Sequence, residues 1–85
     1  MNNWDKTRNQ IDTLDNQIIK LILQRGKLAE KMGQLKKKEG KPIANKQRQQ
    51  QIEDKYDDAI LGGGKFAKLL IDYGTKLQKK IISNH

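Results

Sequence analysis

Residues 4–35, WDKTRNQIDTLDNQIIKLILQRGKLAEKMGQL, decide the architecture of this chain. Side chains at two positions repeat every seven residues: Trp4, Ile11, Ile18, Arg25 and Met32 at one, Thr7, Leu14, Leu21, Leu28 and Leu35 at the other. On a helix that spacing draws a single apolar seam with one charge, Arg25, set into it. A helix of this length runs for about 50 Å, whereas a compact domain of 85 residues has a radius of gyration near 12 Å. The rest of the chain is too short to cover the seam, so a second copy is expected on it.

Beyond the seam the signals are shorter. Lys36 to Pro42 is basic and carries Gly40 and Pro42, which stop the first helix, and Asn45 reads as the N-cap of a second. That helix is expected from Lys46 to Leu61, with Arg48, Ile52, Tyr56 and Ala59 on one stripe, and the glycines Gly62, Gly63 and Gly64 then break it. A third helix, Lys65 to Ile82, has Phe66, Leu70, Tyr73 and Leu77 on one stripe and Ala67, Ile71, Gly74, Gln78 and Ile82 on the next. Gln78 is therefore a polar group on an apolar face. The fold class is all-α: three helices, the first very long, in one domain covering residues 1–85.

Composition narrows the chemistry. The chain is 34% hydrophobic and 5% aromatic with a single proline, as suits long exposed helices. A net charge of +8 predicts attraction to anions without saying which. Cysteine is absent, the only histidine is the terminal His85 and the only serine is Ser83, so nucleophilic triads and Cys/His metal clusters are not expected. Asp5, Asp12, Asp15, Glu53, Asp54, Asp57 and Asp58 lie among lysines and read as helix-surface pairs rather than metal ligands. With no bilayer-spanning apolar run and no signal sequence, a soluble cytoplasmic protein is expected.

The cations are unevenly chosen. Fifteen are lysines and only three are arginines, Arg8, Arg25 and Arg48, each on or beside an apolar face. Arginine stays charged when desolvated and grips carboxylates or phosphates through a planar fork, so these positions fit an anionic ligand. Arg25 has only Leu21, Ile22, Leu28 and Ala29 at its i±3 and i±4 positions, Arg48 has no acid there, and Lys36 has only Glu39. Arg8 has Asp5 and Asp12 in reach and reads by itself as a surface pair. Arg8 and Arg25 stand about 25 Å apart along the helix, so one small ligand meets both only if Arg8 comes from a second, antiparallel copy.

Arg8, Ile11-Asp12, Leu14-Asp15, Arg25-x2-Leu28-Ala29, Gly33-x2-Lys36, Pro42-Ile43, Arg48 and Gln78 together carry a likeness from Trp4 to about Lys80. In this ordered set the chain resembles the all-helical chorismate mutases. The resemblance implies an intertwined helical homodimer that converts chorismate to prephenate without cofactor or metal. It also implies that Arg25, Lys36 and Arg48 of one chain, with Arg8 of the other, bind the two carboxylates and the ether oxygen, and that Gln78 donates to that oxygen. The resemblance further implies that Asn45 and Gln49 contact the substrate; the family usually has aspartate and glutamate there, and a serine or similar group where this chain has Gly74. Three alternatives stand beside it: an isochorismate pyruvate lyase of similar fold, an inactive relative, and a basic module for nucleic acid or an acidic partner. The last lacks aromatic residues interleaved with its lysines, and the mutase reading involves neither nucleic acid nor membrane.

Overall fold

A computed structural model describes residues 2–83; Met1, Asn84 and the terminal His85 lie outside the described residues. It contains three helices, α1 (Asn3–Glu39), α2 (Lys46–Ala59) and α3 (Gly63–Ser83), and no strand among the described residues. α1 accounts for the length of the molecule: its 37 residues at about 1.5 Å each match the longest dimension, 56 Å. The radius of gyration, 16.4 Å, is well above the value of about 12 Å for a compact chain of this size.

The helix ends follow from local chemistry. Asn2 caps α1 by accepting the Asp5 N–H at 2.8 Å, and Gly40 closes it in the left-handed conformation (φ 68°), with the Lys41 N–H returning to the Lys36 carbonyl at 2.9 Å. Asn45 caps α2 as expected, its Oδ1 accepting the Arg48 N–H at 3.0 Å. α2 ends at Ala59, two residues before the expected Leu61, and α3 begins at Gly63, two before the expected Lys65. Only Gly62 of the glycine triplet is the breaker, with φ 68°. Gly63 and Gly64 are the first turn of α3, packed so tightly on α2 that a Cβ at Gly63 would overlap the Tyr56 carbonyl. Asp57 reaches across from α2 to accept the Gly64 N–H at 2.6 Å, a carboxylate set on the positive end of a helix.

α3 packs against both other helices, whereas the backbones of α1 and α2 stay apart among the described residues. The face of α1 that meets α3 is not the heptad seam. It is a neighbouring stripe of Ile22, Gly26, Ala29, Gly33 and Lys36, in which Gly26 and Gly33 are buried. At about 100° per residue, this stripe and the seam point roughly 100° apart on the helix. The seam stays open along its length: Trp4 is 67% exposed, Leu14 57%, Leu21 61% and Leu28 64%. The chain has almost no interior of its own, since Ala67 is the one apolar residue buried among those described.

The acidic residues of α2 only partly form the surface pairs expected of them. Asp54 accepts from the Gln50 side chain at 2.8 Å, Glu53 meets Lys68 of α3 at 3.7 Å, and Asp57 serves as the cap just described. Replacing Asp57 with alanine should lower the unfolding free energy by about 1–2 kcal/mol, measured by urea denaturation at fixed protein concentration; an unchanged midpoint would show that the cap contributes nothing.

Candidate functional site

Where α1 and α2 diverge above α3 they leave a cleft of about 330 Å³. α1 supplies Arg25, Leu28, Ala29, Met32 and Lys36, the linker Ile43 and Asn45, α2 Arg48, Gln49 and Ile52, and α3 Ile71, Gly74, Thr75 and Gln78. On α1 these residues come from both faces, Arg25, Leu28 and Met32 from the seam and Ala29 and Lys36 from the stripe that meets α3, so the cleft opens along the seam.

Three cations line the cleft and no carboxylate does. Arg25 and Lys36 are half-buried, and each has found a neutral acceptor instead of an acid. The Arg25 Nη1 donates to the Leu70 carbonyl at 3.2 Å. The Lys36 Nζ donates to the Ile43 carbonyl at 2.6 Å and to the Gln78 Oε1 at 2.9 Å. Glu39, the acid within reach of Lys36 in sequence, pairs with Lys41 at 3.1 Å instead. Arg48 is exposed at the rim, anchored by its backbone in the α2 cap. Carbonyls satisfy hydrogen bonds but neutralise no charge, so the cleft keeps a positive potential from three groups within one small volume.

The hydrogen bonds also orient the amides. An ammonium has three N–H donors, and Lys36 spends two on Ile43 and Gln78, which leaves one for a ligand. Because the Gln78 Oε1 accepts from Lys36, its Nε2 is the free end, and Gln78 offers donors beside that remaining Lys36 proton. The Asn45 Oδ1 is committed to the α2 cap, which leaves its Nδ2 as a donor. Gln49 is half-buried and is the lining side chain whose carbonyl no other group claims among the described residues.

Six of the seven residues expected at the site therefore meet around one cleft: Arg25, Lys36, Asn45, Arg48, Gln49 and Gln78. Arg8 does not. It lies on the exposed first half of α1 with its guanidinium 4.9 Å from the centre of the Trp4 ring, and it pairs with neither Asp5 nor Asp12. Sequence reasoning missed Thr75. The hydroxyls of Thr7 and Thr13 turn back to the carbonyls of Asn3 (2.7 Å) and Asn9 (3.1 Å), whereas that of the half-buried Thr75 makes no hydrogen bond among the described residues. Its place three residues before Gln78, on the same helical face, is the signal that was available.

No described helix is long and apolar enough to cross a membrane. The sequence profile of the family described as chorismate mutase type II matches residues 7–84. The chain is 33% identical over 84 residues to the chorismate mutase of Methanocaldococcus jannaschii, an alignment covering 88% of this chain and 83% of that protein. No solved structure matches significantly.

Proposed function

Because the chain belongs to the chorismate mutase type II family, we propose that its cleft converts chorismate to prephenate, residues 1–85 acting as one catalytic domain in a homodimer. The observation that carries this reading is the lining itself: Arg25, Lys36 and Arg48 face one small volume with no carboxylate, and Lys36 and Gln78 each keep a free N–H beside the other. A twice-negative ligand is what such a site lacks.

The rearrangement is intramolecular. The ether C–O bond breaks as a C–C bond forms between the enolpyruvyl arm and the ring, so no nucleophile, redox partner or external proton is consumed. A protein can accelerate it by holding the arm over the ring and by stabilising the negative charge that grows on the ether oxygen. Arg25 and Arg48 bind the carboxylates, while the third N–H of Lys36 and the Gln78 Nε2 donate to the ether oxygen. Both donors are held before substrate arrives, by Ile43 and by each other, so little reorganisation remains for the reaction. Gln49 and Asn45 contact the ring substituents, with the Gln49 carbonyl accepting from the hydroxyl. Thr75 supplies a hydroxyl to the ring carboxylate next to Gly74, which has none to give.

The partner completes the site. The open seam, from Trp4 to Leu35, calls for a second long helix, and an antiparallel copy brings its own Arg8 to the cleft. Arg8 thus acts in the partner's site. Neither nucleic acid nor membrane has a role in this reading, and the remaining lysines draw the dianion inward. A cytoplasmic location fits a cysteine-free, strongly charged chain acting on a soluble metabolite.

Purified protein should form prephenate from chorismate with no added cofactor, and Lys36→Ala or Gln78→Ala should lower kcat by about 100- to 1,000-fold, followed by loss of chorismate absorbance. Prephenate at no more than the uncatalysed rate would refute the mutase reading, and pyruvate release from isochorismate would identify a lyase.

Arg8→Ala and Arg25→Ala should each be poorly active, yet after subunit exchange an equimolar mixture should recover about one quarter of wild-type activity. Half the dimers are then mixed, and each of those holds one intact and one doubly defective site. No recovery, with exchange verified by native mass spectrometry, would rule out shared sites.

A cleft without a carboxylate should also lack the acid limb that a titrating acid imposes. kcat/KM is expected to vary less than about threefold between pH 5 and 7, whereas Gln49→Glu should introduce a falling acid limb. The pH–rate profiles of the two proteins provide the comparison.

A further inference from the structure

We infer that Gly33, which lies outside the cleft lining, is a positioning residue for the reaction: its missing side chain lets Gln78 lie directly on α1, where Lys36 can lock its amide. This rests on the reading of Lys36 and Gln78 as the donors to the ether oxygen.

Gly33 is buried, and a Cβ built on it would stand 3.0 Å from the Gln78 Cα and 3.3 Å from both its Cβ and Cγ. These contacts are tighter than nine in ten real Cβ contacts, so an alanine here obliges this part of α3 to give by a few tenths of an ångström. Lys36 is three residues further along the same face of α1 and holds the Gln78 Oε1 at 2.9 Å. Gln78 is thus gripped at both ends, its stem against the Gly33 backbone and its amide by the ammonium. A glutamine has several rotatable bonds and is otherwise costly to order; here the ordering is complete before substrate binds.

Gly26 provides an internal comparison. It faces the same helix two turns earlier, is also buried, and a Cβ there would be as crowded, 3.1 Å from the Leu77 Cδ1 and 3.3 Å from the Tyr73 Cε2. Those atoms are ends of side chains that can swing aside. At Gly33 the nearest atom is backbone, which moves only if α3 moves. Both glycines tighten the interface, but only Gly33 sets the place of a reacting group.

The test compares Gly33→Ala with Gly26→Ala in the full-length protein, after circular dichroism has established that each is folded. Displacement of a catalytic donor by a few tenths of an ångström should lower kcat by about tenfold or more in Gly33→Ala, with KM within about threefold. In Gly26→Ala both should stay within about twofold, even if its melting temperature falls as far. Adding Gly33→Ala to Gln78→Ala should cost no further kcat. A Gly33→Ala enzyme with wild-type kcat, equal losses in both glycine variants, or additive losses in the double variant would overturn the proposal.

A second readout is independent of turnover. In ¹⁵N-labelled, ligand-free protein the Gln78 side-chain amide pair should be displaced from the solvent position in wild type and Gly26→Ala, and return to it in Gly33→Ala. An unmoved pair would overturn the proposal, whereas absent chorismate turnover by wild type would refute the functional reading alone. Should Gly33→Ala fail to fold, the ligand-free wild-type spectrum decides by itself: a Gln78 side-chain amide pair already at the solvent position would overturn the assignment.

Discussion

The close approach of α3 to α1 is the constraint on which the molecule depends. Among the described residues α3 packs on both other helices while their own backbones stay apart, so the distance between α3 and α1 governs the width of the cleft above it. Gly26 and Gly33 on one side and Gly74 on the other remove the side chains that would hold the axes apart. What remains is a shallow cleft whose floor carries Gln78 and whose wall carries Arg25 and Lys36. Dispersion across this stripe of small residues is modest per atom but strongly dependent on separation. A slightly wider gap between α1 and α3 would therefore weaken packing and spread the polar groups at once.

The second governing feature is charge that is hydrogen-bonded but not neutralised. Arg25 and Lys36 rest on the Leu70 and Ile43 carbonyls and on the Gln78 amide, which fix direction without cancelling the field. A carboxylate in their place would strengthen the resting structure and compete with an anionic ligand. Three of the four acids of α2 are instead engaged elsewhere, Asp57 on the first turn of α3, Asp54 with Gln50 and Glu53 with Lys68. Keeping acids out of the cleft is as much a part of its chemistry as the cations within it.

Much of this was legible in the sequence, and the exceptions have physical causes. The heptad from Trp4 to Leu35 gave the long helix, because sustained periodicity averages over local noise. Gly40 and Asn45 marked helix ends through backbone geometry and capping that single residues determine. The start of α3 was misplaced because three consecutive glycines look like a break, whereas a carboxylate seven residues away, Asp57, stabilises two of them as a helix start. The cleft cations stood out because no acid lay within a turn of Arg25 or Arg48. The actual partners of Arg25 and Lys36, the carbonyls of Leu70 and Ile43, are backbone groups that every residue offers, so composition cannot reveal them. Thr75 was missed for a similar reason: only the three-dimensional lining distinguishes a hydroxyl that faces a cleft from one that turns back on its own helix. The stripe that receives α3 was overlooked because small residues leave no hydrophobic signature, while the neighbouring leucines and isoleucines leave a strong one.

The cleft opens along the seam, its lining shared on α1 between the face committed to α3 and the face left bare. In the proposed dimer, whatever loosens the union of two chains also removes a wall from the reaction chamber. Substitutions far from any reacting atom, such as at Leu14 or Ile18, would then register as lost turnover while helicity was still intact. For a protein built this way, evolution cannot tune association and chemistry as separate traits.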